Sequence, residues 1–188
     1  MPTRDEYLQR PLVERLERLV RAPDELAVAI RGRTGAALHQ RPEGTDWSAN
    51  DVICHLRDIE ELCIVRFHLM LAADDPLVFV AGAPPPEPAR WGIRGDVPFP
   101  LDPGRWAEDR QYHRNDPHEA LAAFGHRRRE VLALLGGLSP EQWRRGSIHP
   151  EHGRVSFEDW TAGMAGHDDN HLDQLRRAPT ATISLSNR

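Results

Sequence analysis

The sequence GMAGHDDNHLDQL, residues 163–175, places two histidines four positions apart within a helical pattern. Apolar residues recur at steps of three and four over 157–164, and Leu175 continues the same series. His167 and His171 therefore lie on the helix face that should pack into a core. Burying a neutral polar ring without a hydrogen-bond partner costs roughly 1–3 kcal/mol. Some interaction should therefore compensate the burial of both rings.

Metal binding would supply such a reason. Two imidazoles at positions i and i+4 lie on one side of a helix, about 6 Å apart at Cβ, and can reach one zinc ion at about 2.0–2.1 Å. A third ligand must then come from another helix. The alternative is that His167 and His171 are structural residues that hydrogen-bond nearby aspartates, and the spacing by itself does not separate the two interpretations.

Three further segments show helical periodicity and precede the fourth helix, predicted over 157–177. A Ser-x-x-Asp pattern resembling a capping box marks the start of two helices, at Ser48 and at Ser156. Pro23 falls inside the first segment and predicts a break or kink near Ala22. The three segments are predicted as helices over about 8–31, 48–73 and 117–136.

The connection between the second and third helices, residues 74–116, is unusually long. Eight of the sixteen prolines of the 188-residue chain lie in it, so it is not a helix. Almost no segment alternates with period two. The sequence therefore predicts an all-α fold, a four-helix bundle with a long crossover between helices two and three, which lets those two run parallel. We expect a single domain over 1–188 with a loosely held tail at 179–188.

Composition excludes several classes of function. The formal net charge is −5, and no basic block is long enough to bind nucleic acid. No run of 18 apolar residues is present, and the first residues lack the apolar segment of a secretory signal, so we expect a cytoplasmic protein without a membrane partner. Cys54 and Cys63 lie nine positions apart on one predicted helix, about 13 Å, which is too far for a disulfide; buried structural roles are expected.

His55 is the candidate third ligand, because it borders the core face of the second helix. Its alternative role is a partly buried histidine paired with Asp58. His149 and His152, in a predicted loop or small hairpin, are interpreted as turn residues. Arg128 falls near the core face of the third helix, where it could meet an anionic substrate, but the favoured interpretation is that its charge reaches water.

Four segments together resemble the DinB-like superfamily of metalloenzymes, which includes thiol-dependent S-transferases. They are WSANDVICHL, DPHEALAAF, HPEHGRVSF and GHDDNHLDQL. The resemblance covers most of the chain and implies the same crossover bundle. It also implies a divalent metal, nickel or zinc in most cases, held by His55, His167 and His171, and it makes a homodimer plausible.

The leading hypothesis is a mononuclear metal-dependent enzyme that transfers a low-molecular-weight thiol to a small molecule or hydrolyses one. Residues 74–116 would recognise the substrate. Asp58, Asp168 and Asp169 are candidates to orient the ligand rings, or else solvated charges. The alternatives are a non-catalytic metal- or ligand-binding module and a structural dimer whose histidines bind nothing.

Two glycines precede the first histidine of the pair. Gly163 and Gly166 each cost about 1 kcal/mol relative to alanine inside a helix. A close approach of the second helix to the fourth at the metal would justify that cost. No H-E-x-x-H, P-loop or G-x-S-x-G motif accompanies them, which disfavours the protease, nucleotidase and serine-hydrolase classes.

Overall fold

The computed structural model describes residues 2–42, 47–78 and 103–178, with the side chains of residues 103 and 104 excluded. Within these ranges the chain is helical apart from one short hairpin and its connections. The helices are α1 (Arg4–Leu8), α2 (Leu12–Ile30), α3 (Gly35–His39), α4 (Ala49–Ala72), α5 (Pro103–Asp109), α6 (Pro117–Gly136), α7 (Pro140–Trp143) and α8 (Phe157–Arg177). A 3₁₀ turn covers Tyr112–Arg114, and antiparallel strands β1 (Gly146–His149) and β2 (Gly153–Ser156) form the hairpin.

The predicted second, third and fourth helices correspond to α4, α6 and α8. Ser48 caps α4 and Ser156 caps α8, each through a reciprocal pair of hydrogen bonds with the aspartate three residues later. Asp116 caps α6, and Pro117 occupies its first position, where a missing N–H costs nothing. These caps satisfy amides that would otherwise lack partners, which is why the sequence located the helix starts closely.

The first predicted helix differs from the structure in where the helix is interrupted. The chain breaks after Leu8, and α2 then runs without interruption through Pro23 to Ile30. Proline costs an interior helix about 3 kcal/mol, but here its ring lies against α6. A Cβ added to Gly125 of α6 would lie 3.7 Å from the Pro23 Cβ. Of the predicted break or kink near Ala22, the break is therefore wrong, because packing against α6 offsets the lost hydrogen bond.

Two apolar clusters show how the four long helices run. The Phe67 cluster contains, among others, Leu19 of α2, Phe67 of α4, Val131 of α6 and Phe157 of α8. The Phe124 cluster contains, among others, Leu26 of α2, Val52 of α4, Phe124 of α6 and Leu172 of α8. Helices α4 and α6 thus both run from the Phe124 cluster to the Phe67 cluster, while α2 and α8 run the opposite way. The predicted four-helix bundle with parallel second and third helices is confirmed, and it requires the long crossover, of which residues 79–102 lie outside the described ranges.

A buried ionic layer joins α4, α6 and α8 near the boundary between the two clusters. The Arg128 guanidinium donates to both Glu60 carboxylate oxygens at 2.7 and 2.8 Å and to Asp168 at 2.7 and 3.1 Å. It also donates to the carbonyl of Leu19 at 3.0 Å. Arg128 is 1% exposed, so the expectation that its charge reaches water is wrong. Two carboxylates from different helices compensate the charge inside the bundle.

The short helix α1 crosses α8 at closest range at Gly166. A Cβ there would lie 3.1 Å from the Arg4 backbone nitrogen and 3.4 Å from the Thr3 carbonyl carbon. The expectation that α4 makes this approach is wrong, because the atoms nearest the glycine belong to the N-terminal segment. At Gly163 the nearest atom among the described residues to the corresponding Cβ is in the flexible side chain of Arg4, at 4.0 Å.

This difference predicts opposite effects for two alanine substitutions in the same helix. Gly163→Ala should raise the free energy of unfolding by up to about 1 kcal/mol, because alanine is the better helix former and space is available. Gly166→Ala should lower it by about 1 kcal/mol, because the α1 backbone is held by the Tyr7–Asp169 hydrogen bond of 2.6 Å and cannot withdraw freely. Urea unfolding of the pair measures both, and equal effects at the two positions would contradict the assigned crossing.

Both cysteines are buried and free, as expected. Burial raises the pKa of Cys54 to about 12 and of Cys63 to about 11, so both remain thiols at neutral pH. In the described part of the chain, no helix is both long enough and apolar enough to cross a membrane.

Candidate metal centre

His55, His167 and His171 converge in the middle of the bundle. The nearest ring nitrogens of the three lie within 4.8 Å of one another. The Nε2 atoms of His55 and His167 are 3.1 Å apart. The ring centroids of His55 and His167 are 4.9 and 4.5 Å from that of His171. The structure therefore brings together all three histidines that the sequence singled out.

Their positions follow from the two capped helices. Ser48 fixes the start of α4, which places His55 almost two turns into the helix, beside the buried Leu56. Ser156 fixes the start of α8 in the same way. His167 and His171 then follow on the core-facing side, one turn apart, and the apolar series resumes beyond them.

Burial keeps all three rings neutral. It lowers the pKa of His55 to about 3, and the charge of His171 acts in the same direction. It lowers the pKa of His167 well below its ordinary value, and that of His171 also falls. Neutral imidazole is the form that ligates a metal, because the ligating nitrogen must carry a lone pair.

The hydrogen bonds around the rings fit a divalent ion. His171 Nδ1 lies 3.0 Å from Gln174 Oε1; an amide oxygen only accepts, so Nδ1 carries the proton and Nε2 keeps its lone pair. The buried Nδ1 of His55 has no hydrogen-bond partner among the described residues. Two nitrogens that bind one tetrahedral zinc ion at about 2.0–2.1 Å are roughly 3.3 Å apart, close to the His55–His167 separation. The donor set is therefore suited to a metal.

The three candidate carboxylates contact arginines and tyrosines in the structure. Asp58 accepts from Arg57, Arg110 and the Tyr112 hydroxyl at 2.7–2.9 Å. Asp169 accepts from the Tyr7 hydroxyl and from Arg18, each at 2.6 Å. Asp168 belongs to the ionic layer with Arg128. None of the three forms a hydrogen bond to the triad in the part of the chain that the structure describes.

Two side chains that touch the triad were missed by the sequence analysis. Gln174 makes a hydrogen bond with His171. Its position three residues later on the same helix could have predicted this contact. Trp47 also lies beside the site, with its ring centroid 4.7 Å from that of His55 and 6.4 Å from that of His171.

A cavity of about 330 Å³ reaches the centre from one side. His55 and His167 line it, together with Arg66 of α4 and His149 and His152 of the hairpin. The interpretation of these two hairpin histidines as turn residues was incomplete, because both also line the cavity. Residues 79–102, expected to recognise the substrate, lie outside the described ranges, and no residue of 74–78 or 103–116 lines this cavity.

The geometry of the three histidines agrees with the resemblance to the DinB-like superfamily. The family model of the DinB superfamily matches residues 18–175, which include the whole triad. The chain belongs to the DinB superfamily.

One relative is similar over most of its length. It is YfiT of Bacillus subtilis (strain 168), described as a probable metal-dependent hydrolase; the chain is 23% identical to it over 163 residues, which cover 85% of this chain and 80% of YfiT. The solved structure of YfiT, described as having "an unusual four-helix bundle topology", superposes with a TM-score of 0.70 over 88% of this chain and 86% of that one, at 22% identity. This likeness supports the crossover topology deduced from the two apolar clusters.

Proposed function

We propose that this member of the DinB superfamily is a metal-dependent enzyme that acts on a small molecule, with His55, His167 and His171 as the metal ligands. The observation that carries the proposal is the convergence of three neutral imidazoles, two of which, His55 and His167, line a cavity. The cavity volume falls within the range of about 300–1,000 Å³ typical of small-molecule sites.

Zinc or nickel is the proposed ion. Three neutral nitrogen ligands suit either, and three protein ligands leave a coordination position open, at which a water or a thiol can lose its proton near neutral pH. The chain's own residues hold and shield the site. Gln174 fixes the His171 tautomer, and the Trp47 ring lies beside the rings of His55 and His171.

Hydrolysis is the favoured reaction, and thiol transfer is the second candidate. The hydrolase description of YfiT supports the first. For the second, the thiol would have to be supplied as a substrate, since burial keeps Cys54 and Cys63 protonated. Cys63 lines the cavity, but its raised pKa makes it a poor nucleophile.

Metal content tests the proposal directly. Untagged wild-type protein, purified without chelators, should contain about one zinc or nickel ion per chain by elemental analysis. The double variant His167→Ala/His171→Ala should contain almost none, because a single remaining imidazole binds weakly. The matched control is His126→Ala, which removes an exposed histidine from α6 and should retain the ion.

The same three proteins separate the two reactions. A chromogenic ester hydrolysed without added thiol, at a rate that the double variant abolishes, would support hydrolysis. An alkylating electrophile consumed only when cysteine is added would support thiol transfer. A wild-type protein that remains free of metal after reconstitution with zinc and with nickel would overturn the proposal.

A further inference from the structure

The charged side chains that line the cavity balance one another. Among the described residues, the lining contains as many arginines as carboxylates: Arg4, Arg66 and Arg128, with Glu60, Asp159 and Asp168. Arg128 binds both Glu60 and Asp168. The Asp159 carboxylate accepts from the Ser156 backbone amide and hydroxyl at 2.9 and 2.7 Å. The lining as a whole therefore offers no net charge that would attract a charged substrate.

The two remaining arginines of the lining also have partners. The Arg66 guanidinium carbon lies 5.0 Å from the centre of the Trp160 ring, and the same side chain hydrogen-bonds that of Cys63. Arg4 Nη1 lies 3.5 Å from Asp5 Oδ1. Each cation is thus held by the protein itself.

The surface that faces the cavity is mainly apolar. Side chains of α4, β2 and α8 supply it: Leu56, Ile59, Cys63, Val155, Trp160 and Met164. All of them except Leu56 belong to the Phe67 cluster or pack against it. A ligand that covers such surface gains about 25 cal/mol per Å² of apolar area, whereas a charged group placed there loses its hydration. The cavity therefore favours an uncharged, largely apolar molecule.

His149 places one neutral hydrogen-bond donor in this cavity. The residue lines the cavity and is 9% exposed. Its Nδ1 accepts the backbone N–H groups of Glu151 and His152 at 3.1 and 3.2 Å, so the ring proton resides on Nε2. Burial, with the charges of His152, Arg66 and Arg4, lowers the pKa of His149 to about 4, which keeps the ring neutral. No acceptor among the described residues takes the Nε2 proton, so a bound molecule can do so.

We propose that the cavity binds an uncharged, largely apolar carbonyl compound, an ester or a ketone, and that His149 Nε2 donates a hydrogen bond to an oxygen of that compound. The inference rests on the proposed function, because it names the substrate class of the same site. The apolar side chains hold the hydrocarbon part. The donor orients the molecule relative to His55 and His167, which line the same cavity. The two hairpin amides keep the His149 proton on Nε2, so the ring presents a donor and not an acceptor.

The first test compares two probes of the same shape by calorimetric titration. Benzylacetone is an uncharged ketone, and hydrocinnamate carries a carboxylate in place of the acetyl group. Because a carboxylate can bind zinc directly, the two probes are compared in chelator-treated protein. Benzylacetone should bind about tenfold or more tightly there, since the carboxylate would lose its hydration without a net counter-charge. Equal or tighter binding of hydrocinnamate, or no binding of benzylacetone at millimolar concentration, would overturn the inference.

Two substitutions of His149 separate the donor from the hairpin turn. Asparagine keeps an acceptor near the Nδ1 position and removes the Nε2 donor, so zinc-loaded His149→Asn should bind benzylacetone about fivefold or more weakly. Glutamine restores an N–H near the Nε2 position but removes the acceptor of the two hairpin amides, so His149→Gln should retain most of the affinity. A purely structural role of His149 predicts the reverse order, and that order would contradict the assigned hydrogen bond.

A surface histidine and the metal content serve as controls. His126→Asn changes an exposed residue of α6 and should leave the affinity for benzylacetone unchanged. Zinc content is measured in every sample before titration. Wild-type protein that holds no zinc contradicts the proposed function. Benzylacetone binding that neither His149 substitution alters, in samples with the zinc site filled, contradicts only the substrate class and the donor inferred here.

Discussion

Replacing Arg128 with methionine is expected to lower the free energy of unfolding by about 3–5 kcal/mol. The substitution keeps the apolar stem but leaves Glu60 and Asp168 buried without their cation. Burial already raises the pKa of Glu60, so without Arg128 the carboxylates must take up protons or draw water into the bundle. Urea unfolding at pH 7, monitored by circular dichroism, measures the loss.

The neighbouring residue provides a matched control. Arg127 donates to Glu61 at 2.9 Å in a pair whose carboxylate is half exposed. Arg127→Met should therefore cost less than about 1 kcal/mol. A triple variant that replaces Arg128 by methionine, Glu60 by glutamine and Asp168 by asparagine should recover part of the loss, because no unpaired charge remains. An Arg128→Met variant as stable as Arg127→Met would show that the ionic layer contributes little.

The helix boundaries could be predicted because they depend on local chemistry. Each of α4 and α8 is capped by its own serine and aspartate, which lie three residues apart in the chain. Such a cap can be recognised in the sequence without any distant contact. The proline-rich connection likewise indicated a crossover, and with it the parallel pair α4 and α6. The break near Ala22 was wrong for the opposite reason, since Pro23 is accommodated by Gly125 of another helix.

Side chains whose partners lie far away in sequence could not be placed. The charge of Arg128 was expected to reach water, because no residue near it in the sequence indicates a buried cation. Its partners come from α4 and α8. The same limit applies to Gly166, whose close neighbour is the N-terminal segment. Such contacts depend on how helices cross, and helix periodicity alone does not determine the crossing.

The metal centre was predictable only in part. Two of its histidines follow from spacing on one helix, and His55 follows from its place at the core face of another, which the resemblance to the superfamily supports. The cavity wall was missed, because His149 and His152 lie in a polar hairpin that reads as an ordinary turn. The place of the hairpin beside the site depends on a contact with α8, in which the ring centroids of Trp160 and His149 are 5.8 Å apart.

Lowering the pH from 7 to 5 is expected to destabilise the metal-free protein by several kcal/mol. In the unfolded chain each histidine takes up a proton near pH 6.5. In the folded chain burial lowers the pKa of His55 to about 3 and that of His167 well below its ordinary value. The unfolded state therefore binds more protons over this window, so the stability is intact above pH 6.5 and falls as the pH drops. His55 contributes about 2 kcal/mol of loss between pH 7 and pH 5, and His167 adds to it in the same direction.

The decisive quantity is the difference between variants. His149, with a pKa of about 4, adds to the total loss, so wild type alone does not isolate the triad. His55→Leu removes one titrating ring and should reduce the loss between pH 7 and pH 5 by about 2 kcal/mol, whereas His126→Ala should leave it unchanged. Urea unfolding of chelator-treated samples at both pH values gives these numbers. If His55→Leu had the same pH dependence as wild type, His55 would be free to take up a proton in the folded state, and a centre whose buried rings are neutral would be ruled out.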